Sequence, residues 1–224
     1  TKVDVVFLET GFKTTTYVSL IIRGEVKDCF KPTVQGFGII GTENVRDNEG
    51  VILETYRKWE SMIGRVYSKS VKTDVNNPYF STSISEDFRW FKDFRSWCEK
   101  QIGFGNQGWH LDKDILVKGN KVYSEDTCCF VPPEINCTIT NNKSVRGRFP
   151  QGVTYNRTKT RYRAKIRRGA KLESLGTYDT PEEAFYAYKP IKEACIKSLA
   201  EKWKDKIDPR LYEALMNWTI EITD

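Results

Sequence analysis

Histidine is nearly absent from this chain: 224 residues contain one, His110. None of the six cysteines (Cys29, Cys98, Cys128, Cys129, Cys137, Cys195) stands in a C-x-x-C pair. One imidazole cannot complete a Cys/His cluster, so a structural zinc site is not expected. Adjacent Cys128 and Cys129 are poorly placed for a disulfide, and the cysteines read as reduced core residues. No apolar run approaches membrane-spanning length, and the first residues lack a charged-then-apolar leader pattern. The expectation is a cytoplasmic protein with no membrane partner. No internal repeat is visible.

The most telling absence is of acid. From Lys143 to Lys171 there are eleven Lys and Arg, and no Asp or Glu appears until Glu173. The whole chain carries a net charge of only +6, so its basic character is a local patch, which suits a binding face better than general solubility. Within the patch, residues 161–167 read R-Y-R-A-K-I-R. A strand sends alternate side chains to opposite faces, so Arg161, Arg163, Lys165 and Arg167 form a cationic face, and Tyr162, Ala164 and Ile166 a packing face. An ordinary solvated strand would mix charges with Thr and Ser. A row of like charges points to a polyanion, and the natural polyanion is nucleic acid.

Apolar residues make up 39% of the chain, enough for real cores. The expected class is α+β. Residues 1–104 read as an N-terminal β segment, with V-D-V-V-F-L and Y-V-S-L-I-I as strands, followed by two amphipathic helices. Ile52, Tyr56, Trp59, Ile63 and Val66 mark the first, at helical spacing. Ser85 is an N-cap for the second, whose stripe is Phe88, Phe91, Phe94, Trp97 and Cys98. Residues 105–142 form a small mixed unit: an extended run from Trp109, a turn at Lys118-Gly119-Asn120, an apolar run from Cys128 to Val131, and a short helix opening at Pro132-Pro133. Residues 143–150 read as a basic linker. Residues 151–224 carry three short antiparallel strands (Gly152–Arg157, Arg161–Arg168, Leu172–Tyr178) and a helix. Thr180-Pro181-Glu182-Glu183 is a capping box for that helix. Pro190 is expected to kink it or end its first half. Further short helices follow Leu199.

The segments G-V-T-Y (152–155), Y-R-A-K-I (162–166), L-G-T-Y-D-T-P-E-E-A (175–184) and A-Y (187–188) resemble the DNA-binding domain of plant ethylene-response factors, relatives of which occur in phage and bacterial endonucleases. That resemblance covers about residues 150–195. It implies a three-stranded sheet lying on a helix, its open face in the major groove of double-stranded DNA. The implied contacts are Arg161, Arg163, Lys165 and Arg167, with Arg157 and Lys159 adding phosphate contacts.

W-H-L-D-K-D (109–114) followed by C-F-V-P-P-E-I-N (129–136) is similar to a phage HNH endonuclease core, a ββα-metal fold of the His-Me finger type. The order of segments also resembles phage homing endonucleases. The resemblance implies His110 as general base and Asn136 as a residue beside one divalent metal, magnesium, with no small-molecule cofactor. Asp112 and Asp114 offer hard oxygen ligands; ion-pair roles for both, and helix capping for Asn136, are the competing accounts. Trp109 stands where such cores carry Asp or His, and Thr127 about where a middle Asn belongs. On an extended strand His110, Asp112 and Asp114 would share one face. The implied function is a phage-type, metal-dependent DNA endonuclease acting in an infected bacterial host. The alternative is a non-catalytic DNA-binding or regulatory protein with a degenerate nuclease core.

Overall fold

A computed structural model describes residues 1–140, 147–156, 158, 160–169 and 171–224. The chain forms two compact units, one of residues 1–105 with 117–128, the other of residues 106–116 with 129–224. The boundary read from the sequence at 104/105 falls one residue from the break at 105/106, the stretch from 106 to 140 is divided between the two units, and the boundary at 142/143 lies outside the described residues.

In the first unit, β1 (Lys2–Val6) and β2 (Lys13–Tyr17) form an antiparallel hairpin, with Lys2 opposite Tyr17 and Val6 opposite Lys13. The strand expected in Y-V-S-L-I-I is instead a single helical turn, α1 (Val18–Ile22). Tyr17 already pairs with the first residue of β1, so the chain beyond it has no ladder partner and bonds to itself. The amphipathic helix α2 (Glu54–Tyr67) buries Trp59, Met62, Ile63 and Val66, and α3 (Lys69–Thr73) follows it.

The Ser85 cap is present: its side chain accepts from Phe88 N at 3.4 Å. The helix it opens is broken in two, α4 (Glu86–Arg89) and α5 (Phe91–Cys98). Ile39 causes the break: its N–H donates to Arg89 O and its carbonyl accepts from Phe91 N, pulling Trp90 into a bridge. The expected stripe is buried throughout: Phe88, Phe91, Phe94 and Cys98 are inaccessible and Trp97 nearly so. Beside it, β3 (Ser83–Ile84) runs parallel to β5 (Val122–Tyr123).

In the second unit, β4 (His110–Asp112) is antiparallel to β6 (Cys129–Val131), and α6 (Pro133–Ile139) leaves the end of β6. Strands β7 (Val153–Asn156), β8 (Arg161–Arg168) and β9 (Lys171–Tyr178) make an antiparallel sheet in that order. The helix α7 (Pro181–Trp203) packs beneath it. The shared core is Val153, Ala164, Ile166, Ala184, Phe185, Tyr188 and Ile220. Thus the class is α+β, with a three-stranded sheet on a helix, as expected.

The capping box at Thr180 and Glu183 forms in both directions. Pro190, however, does not end α7, which runs through it to Trp203. A proline removes one intrahelical donor, and packing holds the helix on both sides of it. On one side lies the sheet. On the other lies α6, whose Thr138 carbonyl accepts from Lys192 at 2.6 Å and whose Glu134 pairs with Lys202, also at 2.6 Å. Trp109 adds an edge-on contact with Trp203, ring centroids 5.8 Å apart. A short 3-10 turn (Lys204–Lys206) leads to α8 (Pro209–Met216), capped by Asp208. Among the described residues no helix is long and apolar enough to cross a membrane.

Gly152 sets how closely β7 approaches α7. Its φ is +78°, and a Cβ there would lie 2.3 Å from the Tyr188 ring. Both strain and overlap oppose a side chain, so Gly152→Ala should destabilise the folded chain by about 2–4 kcal/mol in urea unfolding.

Candidate nucleic-acid interface

The alternation in β8 is realised in the fold. Ala164 and Ile166 are buried against α7, while Arg161, Arg163 and Lys165 are half-buried and Arg167 is exposed. The cross-strand register fills in the rest of the open face, since directly opposed residues share a face. Asn156 lies opposite Arg161 and Thr154 opposite Arg163 on β7. On β9, Thr177 lies opposite Arg163, Ser174 opposite Lys165 and Leu172 opposite Arg167. The open face is therefore four cations flanked by small polar groups and one exposed leucine.

The charges are not equivalent. Arg161 Nε lies 2.7 Å from Asp179 Oδ1, without the alignment of a hydrogen bond, so the contact is a charge pair. Arg168, on the opposite face, pairs with Glu173 at 3.7 Å. Among the described residues no ion pair involves Arg163, Lys165 or Arg167. Alternate residues on a strand are about 6.8 Å apart, so neighbouring cations repel by about 0.6 kcal/mol in water. The fold tolerates that, and an anion placed over the face would relieve it.

A β-bulge keeps the face cationic. Ala164 pairs with Gly176, but Lys165 pairs with Ser174, which leaves Leu175 as the extra residue packed toward the core. Had the ladder continued unshifted, Glu173 would stand opposite Arg167 and neutralise it. The bulge moves Glu173 to the other face, beside Arg168. Gly176 permits this, with φ +137° and no room for a Cβ against Tyr178. An isolated glycine inside a strand pattern is the signal for such a bulge. Sequence reasoning missed it, and with it the placement of Ser174 and Leu172 on the open face. Arg157 and Lys159 lie outside the described residues.

The second candidate site is the β4–β6–α6 unit. His110 stands opposite Val131, the last residue of β6, at the end of the strand pair from which α6 departs. Its imidazole is exposed and has no hydrogen bond among the described residues. Asn136, half-buried in α6, likewise has no side-chain bond among them; its carbonyl accepts from Thr140, and its N–H donates to Pro132 O. Helix capping by its side chain, the competing account, is not seen.

Asp112 sits at the far end of β4, opposite Cys129. Its Oδ1 accepts from Asp114 N at 2.7 Å and Ile115 N at 2.9 Å, closing a turn. The strand ends there, so Asp114 does not share the face of His110 and Asp112. Asp114 is exposed and pairs with the buried Lys113. Among the described residues, no three side chains of His, Cys, Asp and Glu converge as a metal would need. Asp112 and Asp114 are thus committed to local structure, and a metal held by these two carboxylates does not fit the arrangement. His110 and Asn136 remain as donors.

Compared with protein families, curated proteins and solved structures, the chain matches none of them.

Burial raises the pKa of Asp112, an effect its two backbone N–H donors only partly offset. A carboxyl whose folded pKa is raised makes the fold lose stability as pH climbs from the unfolded value, about 3.9, through the folded one. Asp112→Asn keeps an acceptor for both N–H groups and removes the charge. That variant should match the parent in acid and be the more stable at pH 7. Asp112→Ala strands both donors and should cost about 1–3 kcal/mol at any pH. Urea unfolding at pH 3.5 and pH 7 measures both.

Proposed function

We propose that this chain binds double-stranded DNA by seating the open face of the β7–β9 sheet in the major groove. The observation that carries this reading is the triad Arg163, Lys165 and Arg167, three cations in a row with no acid paired to them among the described residues and a bulge that keeps Glu173 away. Size supports it. Strands about 4.8 Å apart give a three-stranded sheet roughly 10 Å across its backbones, against a major groove about 12 Å wide. Spacing supports it too, because a step of about 6.8 Å between cations matches the rise of two base pairs. Thr154, Ser174 and Thr177 add hydroxyls that can donate to or accept from base edges. A-form RNA offers no comparable groove, since its major groove is deep and narrow.

The catalytic half of the proposal is a phage-type endonuclease. Two antiparallel strands and a helix, in the order β4, β6, α6, support it, with an exposed imidazole at the strand end beside the helix. His110 would take a proton from the attacking water. A divalent ion, magnesium, would supply charge stabilisation at the phosphate; of this chain's residues His110 and Asn136 are the candidates to stand beside it. A second reading, DNA binding without cleavage, draws support from the engagement of Asp112 and Asp114 in a turn and an ion pair.

Replacing Arg163, Lys165 and Arg167 with alanine should abolish most duplex binding. The log-affinity slope against log salt should flatten by about 0.9 for each phosphate that the variant no longer neutralises. Arg161→Ala should cost less, because Asp179 already takes up its charge. Leu172→Glu places an acid directly opposite Arg167 on the open face and should weaken binding with the cations all intact. Unchanged affinity and slope in the triple variant would refute the interface.

Plasmid nicking with magnesium or manganese separates the two catalytic readings. Cleavage that falls about 10²–10⁴-fold in His110→Ala, with DNA binding retained, supports the endonuclease. A parent protein that binds but never cuts leaves the non-catalytic reading.

A further inference from the structure

Beside the turn joining β8 and β9, a cleft of about 660 Å³ runs along the C-terminal half of α7, lined also by Glu134 and Thr138 of α6. Small-molecule sites occupy about 300–1,000 Å³. The wall supplied by α7 is apolar: Pro190, Ile191, Ala194 and Leu199 follow one another along a single helix face. The rest of the lining is basic: Arg167 and Arg168 at the end of β8, and Lys202 near the end of α7.

The lining holds one acid, Glu134, and three cations, two of which are paired. Lys202 Nζ lies 2.6 Å from Glu134 Oε2, and the Trp203 indole N–H donates to the same oxygen at 2.9 Å. Those two donors hold the Glu134 carboxyl below its ordinary pKa, so it stays ionised and already satisfied. It has little left to offer a cationic ligand. Arg168 is paired with Glu173 at 3.7 Å. Arg167 has no acid paired to it among the described residues. What remains is one uncompensated positive charge beside an apolar wall.

We propose that this cleft binds a small amphipathic monoanion, a carboxylate or sulfonate carried on an apolar body, with the anion at Arg167 and the body along Ile191, Ala194 and Leu199. The site is additional to the DNA reading and does not depend on it, although the two would share Arg167.

The test is a fluorescence titration of the full chain with 8-anilinonaphthalene-1-sulfonate, alongside the uncharged N-phenyl-1-naphthylamine. The sulfonate should show one saturable site. Ala194→Trp and Ser198→Trp, at two exposed positions of α7, fill the cleft from its helical wall; whichever variant keeps the parent's thermal unfolding should lose the site. Arg167→Gln should weaken the sulfonate about two- to fivefold, as an exposed ion pair does, and leave the neutral probe unchanged. Absence of a saturable site overturns the proposal, as does sulfonate affinity indifferent to the cleft-filling tryptophan. Indifference to Arg167→Gln overturns the assignment of an anion.

Discussion

The packing of Ala164 and Ile166 onto Ala184, Phe185 and Tyr188 is the constraint on which the rest of the second unit depends. Once those two residues are buried, the pleat leaves Arg161, Arg163, Lys165 and Arg167 no other place than the open face. Burying the Ile166 side chain contributes about 1.5–3 kcal/mol, comparable to the summed repulsion of the cations it forces into line. The core thus holds the strand against its own charge. The neighbours are tuned to the same end: Gly152 lets β7 close on Tyr188, and Gly176 releases the bulge that sends Glu173 away from Arg167.

Helix α7 carries two loads. One side supports the sheet, and the other is tied to α6 through Glu134–Lys202 and Lys192–Thr138. The strand pair that presents His110 leads directly into α6, so the proposed interface and the candidate catalytic unit share one support. This division of labour explains why α7 continues past Pro190. Packing on both sides of the proline outweighs the single missing hydrogen bond.

Local signals were legible wherever short-range chemistry decides the outcome. The period-2 alternation gave β8 with its observed ends, Arg161 and Arg168, and the Thr180–Glu183 capping box gave the start of α7. The aromatic stripe from Phe88 to Cys98 was recognisable as core. Signals failed where a distant partner decides. Val18–Ile22 has strand composition, yet it forms a turn of helix because the hairpin register ends at Tyr17. Strand alternation places Asp114 on the face of His110, yet the strand stops at Asp112, whose carboxylate closes the turn. The bulge at Leu175 was hidden because its effect is on register, and register is a property of two strands.

The proposed contact between the open face of β8 and DNA can be read directly from the arginine side chains. In an NMR titration of the full chain with duplex DNA, the Nε–Hε resonances of Arg163 and Arg167 should shift progressively. That of Arg161, already paired with Asp179, should move less. Shifts confined to arginines off this face, such as Arg23, Arg57 and Arg95, with Arg163 and Arg167 unmoved at saturating duplex, would contradict the account.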